Sequence, residues 1–203
     1  MALHLTAKSA VPLLYNLLSA SSELGVSILG KSKHMKSASI ILEEYDSSWP
    51  QKFEKEKEHL ISIVDSWNYG SIEHVGSTAV LGMIAKPVID IMFGVKSLEG
   101  SRPAIEILIE NGYEYWPYKT EVMHWFCKPS DAIRTHHLHL IPFESPLWKE
   151  RIIFRDLLRS DKSVFDQYAQ LKRDLADSHT EDREAYTEKK WPFIQRALQR
   201  ENC

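Results

Sequence analysis

At 203 residues, 43% hydrophobic and 26% charged, the chain has an ordinary globular composition and the length for one full domain, with or without an appendage. A net charge of −3 gives no global attraction to nucleic acid or an anionic membrane, and no apolar run approaches transmembrane length. Two cysteines, Cys127 and Cys203, make neither a disulfide framework nor a metal knuckle, so a reducing, cytoplasmic setting is expected.

Residues 1–38 stand apart. They carry Lys8, Lys31, Lys33 and Lys36 against the single acid Glu23, and Ala10 to Leu18 is apolar. This reads as an N-terminal extension. An organelle-targeting segment is the alternative, weakened by the lack of arginine and by Pro12 and Asn16 within the apolar run. Ser39 to Glu44 is β-like and is expected to open the folded domain, 39–200. Ser48 and Pro50 mark a helix start. Phe53, Leu60, Ile61, Val64 and Trp67 then recur at helical spacing, predicting a core-facing helix to about Trp67. Lys52 and residues 54–58, a run of Glu and Lys, look like its solvated face.

Ser71 to Val75 reads as a strand, Ala79 to Ala85 as a short helix and loop, and Pro87 to Val95 as a buried strand. A helix over Pro103 to Asn111 with Ile105, Leu108 and Ile109 inward is stopped by Gly112. Tyr113 to Trp116 and Val122 to Lys128 follow as paired strands, and Arg134 to Ile141 as a third. The remainder is helical, over Lys149 to Arg159, Ser163 to Asp177 and about Glu181 to Gln199, with Pro192 expected to kink or restart the last helix. The class is α+β: a mixed sheet with flanking helices and a helical C-terminal section.

Two stretches carry chemistry. In the first, His74-Val75-Gly76-Ser77-Thr78 leads through Lys86 to Asp90, as strand, small-residue turn and carboxylate-bearing strand. Amides at such a turn can hold phosphate and the acid a divalent metal, the layout of a nucleotidyltransferase-type site. An acid inside an apolar strand is costly to bury without a metal or a partner, and an ion pair with a nearby Lys or Arg is the plainer alternative for Asp90. Met92, two residues on, stands where a two-metal transferase has its second acid. In the second stretch, Arg134 to Ile141, period-two alternation puts His137 and His139 on one face. Such a pair can ligate a metal, donate to phosphate or exchange protons, or serve as a hydrogen-bonded structural pair. A dedicated zinc site would need a third ligand. His59 and His124 read as surface or packing residues.

The chain resembles the GrpB family from about Ile40 to Ile194. The resemblance rests on Tyr45-Asp46 with Trp49, Ile72 to Thr78 with Gly82, Ala85 to Ile91, Gly112-Tyr113 and Arg134 to His139. It continues through Phe154-Arg155-Asp156, Tyr168, Leu171-Lys172, Leu175, Tyr186, Lys190 and Phe193-Ile194. It implies a nucleotidyltransferase-like fold, with the turn at one sheet end, Asp90 on the adjacent strand, and the later strand position of a third acid falling on the histidine strand. The expected function is binding of a nucleotide or phosphorylated small molecule, with transfer of a nucleotidyl or phosphoryl group as the enzymatic version. In that reading His74, Gly76, Ser77 and Thr78 hold phosphate, Lys86 or Arg134 neutralises it, and Asp90, His137 and His139 are catalytic. Asp90 and His139 hold Mg²⁺ or Mn²⁺. The alternatives are a non-catalytic binding protein and a metal-dependent hydrolase built on the histidine strand.

Overall fold

The computed structural model describes residues 40–201, and what was read for the N-terminal extension lies outside them. Among the described residues there are five strands and five α-helices, the last three helices following the last strand. Helix α1 (Trp49–Val64) runs into a 3-10 turn at Asp65–Trp67, then come β1 (Ile72–Val75) and a second 3-10 turn at Ser77–Ala79. Strand β2 (Ile89–Val95), α2 (Pro103–Glu110), β3 (Glu114–Trp116), β4 (His124–Pro129) and β5 (Arg134–Pro142) follow. Helices α3 (Pro146–Ser160), α4 (Lys162–Ser178) and α5 (Arg183–Glu201) complete the order. The sheet order is β1-β2-β5-β4-β3, and only the β2–β5 pair is parallel.

That parallel pair is central. A parallel neighbour needs a crossover, and the segment with α2, β3 and β4 supplies it. Both strands therefore start at the same sheet end, with Asp90 opposite His137 and Met92 opposite His139. Residues of one parity, Ile89, Ile91, Phe93, Leu138 and Leu140, pack with Phe53, Leu60 and Leu108 in the main core beneath α1 and α2. The other parity faces the C-terminal helices. There Val75, Met92, Met123, Ile141 and Trp148 form a second apolar cluster. A third cluster joins the Val80–Ile84 loop to α3, α4 and α5.

Several expectations change. The Ser39–Glu44 run contributes a single bridge, Glu43 to Ala85, and not a strand. Ser48 gives α1 no side-chain cap; Asp46 instead accepts from Ser48 N at 2.8 Å and Ser48 Oγ at 2.6 Å. In place of the expected helix and loop from Ala79 to Ala85, Ala79 ends the 3-10 turn and the rest is turn and loop, and α5 continues as one helix through Pro192. Ile61 and Ile109 are exposed, while Ala104 joins Leu108 in the core. Glu56 leaves the supposed solvated face: it is buried, accepting from Lys128 Nζ at 2.7 Å and from the Tyr113 hydroxyl. Its place on the Trp49, Phe53, Glu56, Leu60, Val64 stripe explains this.

Candidate functional site

Because β2 and β5 are in parallel register, Asp90, His137 and His139 share one face, and His137 and His139 project beside the carboxylate. Their ligand atoms all lie within 4.8 Å of one another. His137 Nδ1 donates to Asp90 Oδ1 at 2.9 Å, and His139 Nε2 lies 3.8 Å from the same oxygen. That bond fixes the His137 tautomer and leaves its Nε2 with a free lone pair. His137 Nε2 and both ring nitrogens of His139 are buried without a hydrogen-bond partner. Orphaned imidazole nitrogens beside a carboxylate are what a metal would satisfy.

The charges agree. Burial pushes the Asp90 carboxyl upward, but the hydrogen bond from His137, with the His139 ring beside it, outweighs burial and holds the group well below the carboxylate range. Burial, with Arg151 nearby, pushes His139 down to about 3. His139 is therefore neutral at pH 7, and the Asp90 anion rests chiefly on His137. A neutral imidazole at His139 and an ionised carboxylate at Asp90 are forms that bind a cation.

The turn presses on this cluster. Gly76 has φ of +71°, and a Cβ there would stand 2.4 Å from Asp90 Oδ2. Only glycine allows the chain to pass so close. Ser77 Oγ lies within hydrogen-bond distance of Lys172 Nζ, at 3.0 Å. Thr78 and His74 are used differently from expectation. Thr78 Oγ1 donates to the Val88 carbonyl at 3.1 Å and, its one proton being spent, accepts from His74 Nε2 at 3.0 Å. His74 stacks on Phe53 at 4.8 Å, on the α1 face of the sheet. Its neighbour Val75, not His74, pairs with Asp90. Burial pushes His74 down to about 4. These two side chains brace the turn from behind.

Of the two cations expected at the site, Lys86 is in its field and Arg134 is spoken for. Burial lowers Lys86, opposed by Asp90, and its ammonium lies 5.1 Å from the Tyr186 ring centre. Arg134 pairs with Asp131 and stacks on Trp125 at 5.2 Å. Other cations come from the C-terminal helices. Lys190 lies over Tyr186 at 4.3 Å, and burial and Lys86 push it down to about 7 against the pull of Asp90. Arg151 is lowered by burial, feels Asp90, and contacts Met123 Sδ at 3.9 Å; among the described residues it makes no ion pair. Arg155 ties α3 to β1 through Glu73 Oε2 at 2.7 Å and the His74 carbonyl at 3.2 Å. Arg159 donates to the Ala79 carbonyl at 2.8 Å. Asp90 is thus, among the described residues, a carboxylate in the field of Lys86, Lys190 and Arg151, which favours an anion beside the carboxylate–histidine cluster.

Met92, on the Asp90 face, is fully buried with Val75, Ile141 and Trp148. It is core, not a vacated ligand position.

The fold and site define a mixed-sheet α/β protein with, among the described residues, one carboxylate–histidine cluster at one end of its parallel strand pair. The GrpB protein family model matches residues 39–200, and the chain belongs to that family. It is 34% identical to glutamate-rich protein GrpB of Alkalihalophilus pseudofirmus, over 78% of this chain and 94% of that one. It is 32% identical to UPF0157 protein YqkA of Bacillus subtilis, over 75% of this chain but only 44% of that longer relative. The crystal structure of conserved protein GrpB from Enterococcus faecalis superposes with a TM-score of 0.70 at 29% identity, covering 79% of this chain and 98% of that one. Among the described residues no helix is long and apolar enough to cross a membrane.

Proposed function

We propose that the protein binds a phosphorylated small molecule, a nucleotide first among candidates, through one divalent metal held by Asp90, His137 and His139. The observation that carries this reading is the convergence of those three side chains with unpartnered imidazole nitrogens. Two imidazoles and one carboxylate suit Mn²⁺ or another transition ion better than Mg²⁺. Lys86, Lys190 and Arg151 would neutralise the phosphate, and the metal would polarise a phosphoryl oxygen. Among the described residues no second acid joins Asp90, so two-metal nucleotidyl transfer is disfavoured. The chemistry proposed is single-metal phosphoryl or nucleotidyl transfer.

A metal-dependent hydrolase is the second reading, favoured by one observation: Asp90 is the third ligand that the histidine pair lacked. Three protein ligands with an open position can present a metal-bound water. A thermal-shift screen of nucleotides and phospho-metabolites, each with and without Mn²⁺, Zn²⁺ or Mg²⁺, tests the binding claim, and turnover assays on the hits separate transfer from hydrolysis. Transition-ion stabilisation should exceed that of Mg²⁺ and vanish in Asp90→Asn. A wild-type protein indifferent to every metal, or an Asp90→Asn variant with an unchanged metal response, would overturn the proposal. Saturable ligand binding without turnover would leave the non-catalytic binding protein.

A further inference from the structure

Lys172 sits on α4 facing the 77–84 turn and loop, 1% exposed, with no carboxylate in contact among the described residues. Its Nζ meets two oxygens: Ser77 Oγ at 3.0 Å and the Ile84 carbonyl. The Tyr168 ring lies 5.0 Å from the same nitrogen, and the Tyr168 phenol lies against Ser77. Ser77 itself is half-buried and follows the exposed, positive-φ Gly76. A buried amine without a counter-ion is expensive to keep charged. Burial, with Lys190 and Arg173 adding positive charge, pushes Lys172 down to about 6. The neutral amine has two protons and one lone pair. One proton serves the Ile84 carbonyl, and the lone pair is left to accept the Ser77 hydroxyl proton.

We propose that Ser77 and Lys172 form a nucleophile–base pair that opens a two-step phosphoryl transfer. This deepens the reading above and rests on it for the substrate class, a phosphoric anhydride held at the Asp90 cluster. The Oγ–P bond forms as the bridging P–O bond breaks, the departing phosphate keeps that electron pair, and the Oγ proton passes to Lys172 Nζ. Water or an acceptor hydroxyl then attacks the phosphoserine, releasing Ser77 and returning the proton balance. Activation of a hydroxyl by an adjacent base is the general requirement for serine as nucleophile.

The pair is testable without knowing the substrate. Diisopropyl fluorophosphate reacts by the same first step, forming Oγ–P and expelling fluoride. The full chain is incubated with it, with and without Mn²⁺, and adducts are located by peptide mass mapping. One dominant adduct at Ser77 is expected, absent in Ser77→Ala and formed about 100-fold more slowly in Lys172→Met and Lys172→Arg, a general-base-sized effect. Lys172→Arg keeps a donor to Ile84 but cannot act as base, so a merely structural lysine would leave its labelling rate unchanged. That result, or Ser77 labelling no faster than other serines, overturns the proposal. If neither lysine variant folds, the wild-type pH profile decides. A rate that falls as pH drops through about 6 supports the pair, and one that only climbs with hydroxide up to pH 10 refutes it. Labelling needs no metal, so failure of the metal reading would leave it intact, and its own failure would leave metal binding intact.

Discussion

Gly76→Ala probes the contact between the turn and the carboxylate most directly. Gly76 has φ of +71° and ψ of −170°, a conformation essentially confined to glycine. Placing alanine there costs about 1–3 kcal/mol in backbone strain. The new Cβ also meets Asp90 Oδ2 at 2.4 Å and Asp90 Cβ and Cγ at 3.1 Å, so the carboxylate must move by about an ångström to reach ordinary contact. Moving it breaks the 2.9 Å bond from His137, worth about 1.5–3 kcal/mol for a charged acceptor. The sum, roughly 2.5–6 kcal/mol, is a large share of a domain's stability of about 5–15 kcal/mol but does not exceed it. At about 2–4 °C per kcal/mol, Tm should fall by roughly 5–24 °C. Gly112 is the internal control, with φ of +86° and nothing within 4 Å of the point where an alanine methyl would sit. Gly112→Ala should cost strain alone, about 1–2 kcal/mol. Urea unfolding of both variants, repeated in an Asp90→Ala background, isolates the carboxylate contribution. Equal losses at the two glycines, or an excess at Gly76 that survives Asp90→Ala, would refute the claim that the turn is pressed against Asp90.

Three further outcomes follow from the same geometry. His139 is held down to about 3 and His74 to about 4, so below pH 6.5 the unfolded chain takes up their protons first; stability is fully present above that pH and is lost as it falls. His139 alone should remove about 1.4 kcal/mol per pH unit, and a metal-free urea midpoint that stays constant from pH 7 to pH 5 would contradict this. Glu56→Gln should cost about 2 kcal/mol by stranding Lys128 and the Tyr113 hydroxyl, whereas Lys55→Gln and Glu58→Gln on the exposed face should stay within about 0.5 kcal/mol; equal midpoints for the three variants would return Glu56 to the solvated face. Met92→Asp would bury an unpaired carboxylate beside Val75, Ile141 and Trp148, so it should destabilise by at least about 3 kcal/mol, while Met92→Leu costs under about 1.5 kcal/mol; a stable Met92→Asp protein with tighter Mg²⁺ binding would show that the position does belong to the metal site.

How legible the site was depended on how each residue enters it. Asp90, His137 and His139 were readable because a strand has period two, and two parallel strands in register keep their parities together. The same parity argument misplaced nothing in β2 and β5, but it needed a register to settle His74. Once Val75 is known to pair with Asp90, His74 must point to the α1 face. No local feature of Ile72 to Val75 contains that register, since antiparallel pairing is set by where the returning chain docks. The Ser39–Glu44 run failed for a related reason: β-like residues form a strand only where a sheet edge offers them a partner, and only Glu43 finds one.

The helical contributors were missed for a different reason, and they show what signal was available. Lys172 lies 95 residues beyond Ser77, so no local pattern could join them. Yet Val164, Tyr168, Lys172 and Ala176 recur every four residues and are all buried, which makes Lys172 a charge on an apolar stripe. Lys190 follows Tyr186 by the same step and lies over its ring. Glu56 occupies the equivalent place on the α1 stripe. Counting charged residues along each helix hides these three among many solvated neighbours, whereas placing every residue on the helical wheel isolates them. A charge on the buried face must be offset by a partner, and the partners differ. Glu56 has Lys128 and Tyr113 and is complete within the fold. Lys172 has a serine hydroxyl and a carbonyl, and Lys190 has an aromatic ring and a distant carboxylate field. The first suits the neutral amine proposed for Lys172, whereas the second does not neutralise an ammonium. The incompleteness lies on the side of the sheet where His137 and His139 also hold unsatisfied nitrogens beside Asp90. Two kinds of unmet demand, for an anion at Lys190 and for a cation at the imidazoles, lie on this side of the sheet, and a metal-bound phosphate would satisfy both at once.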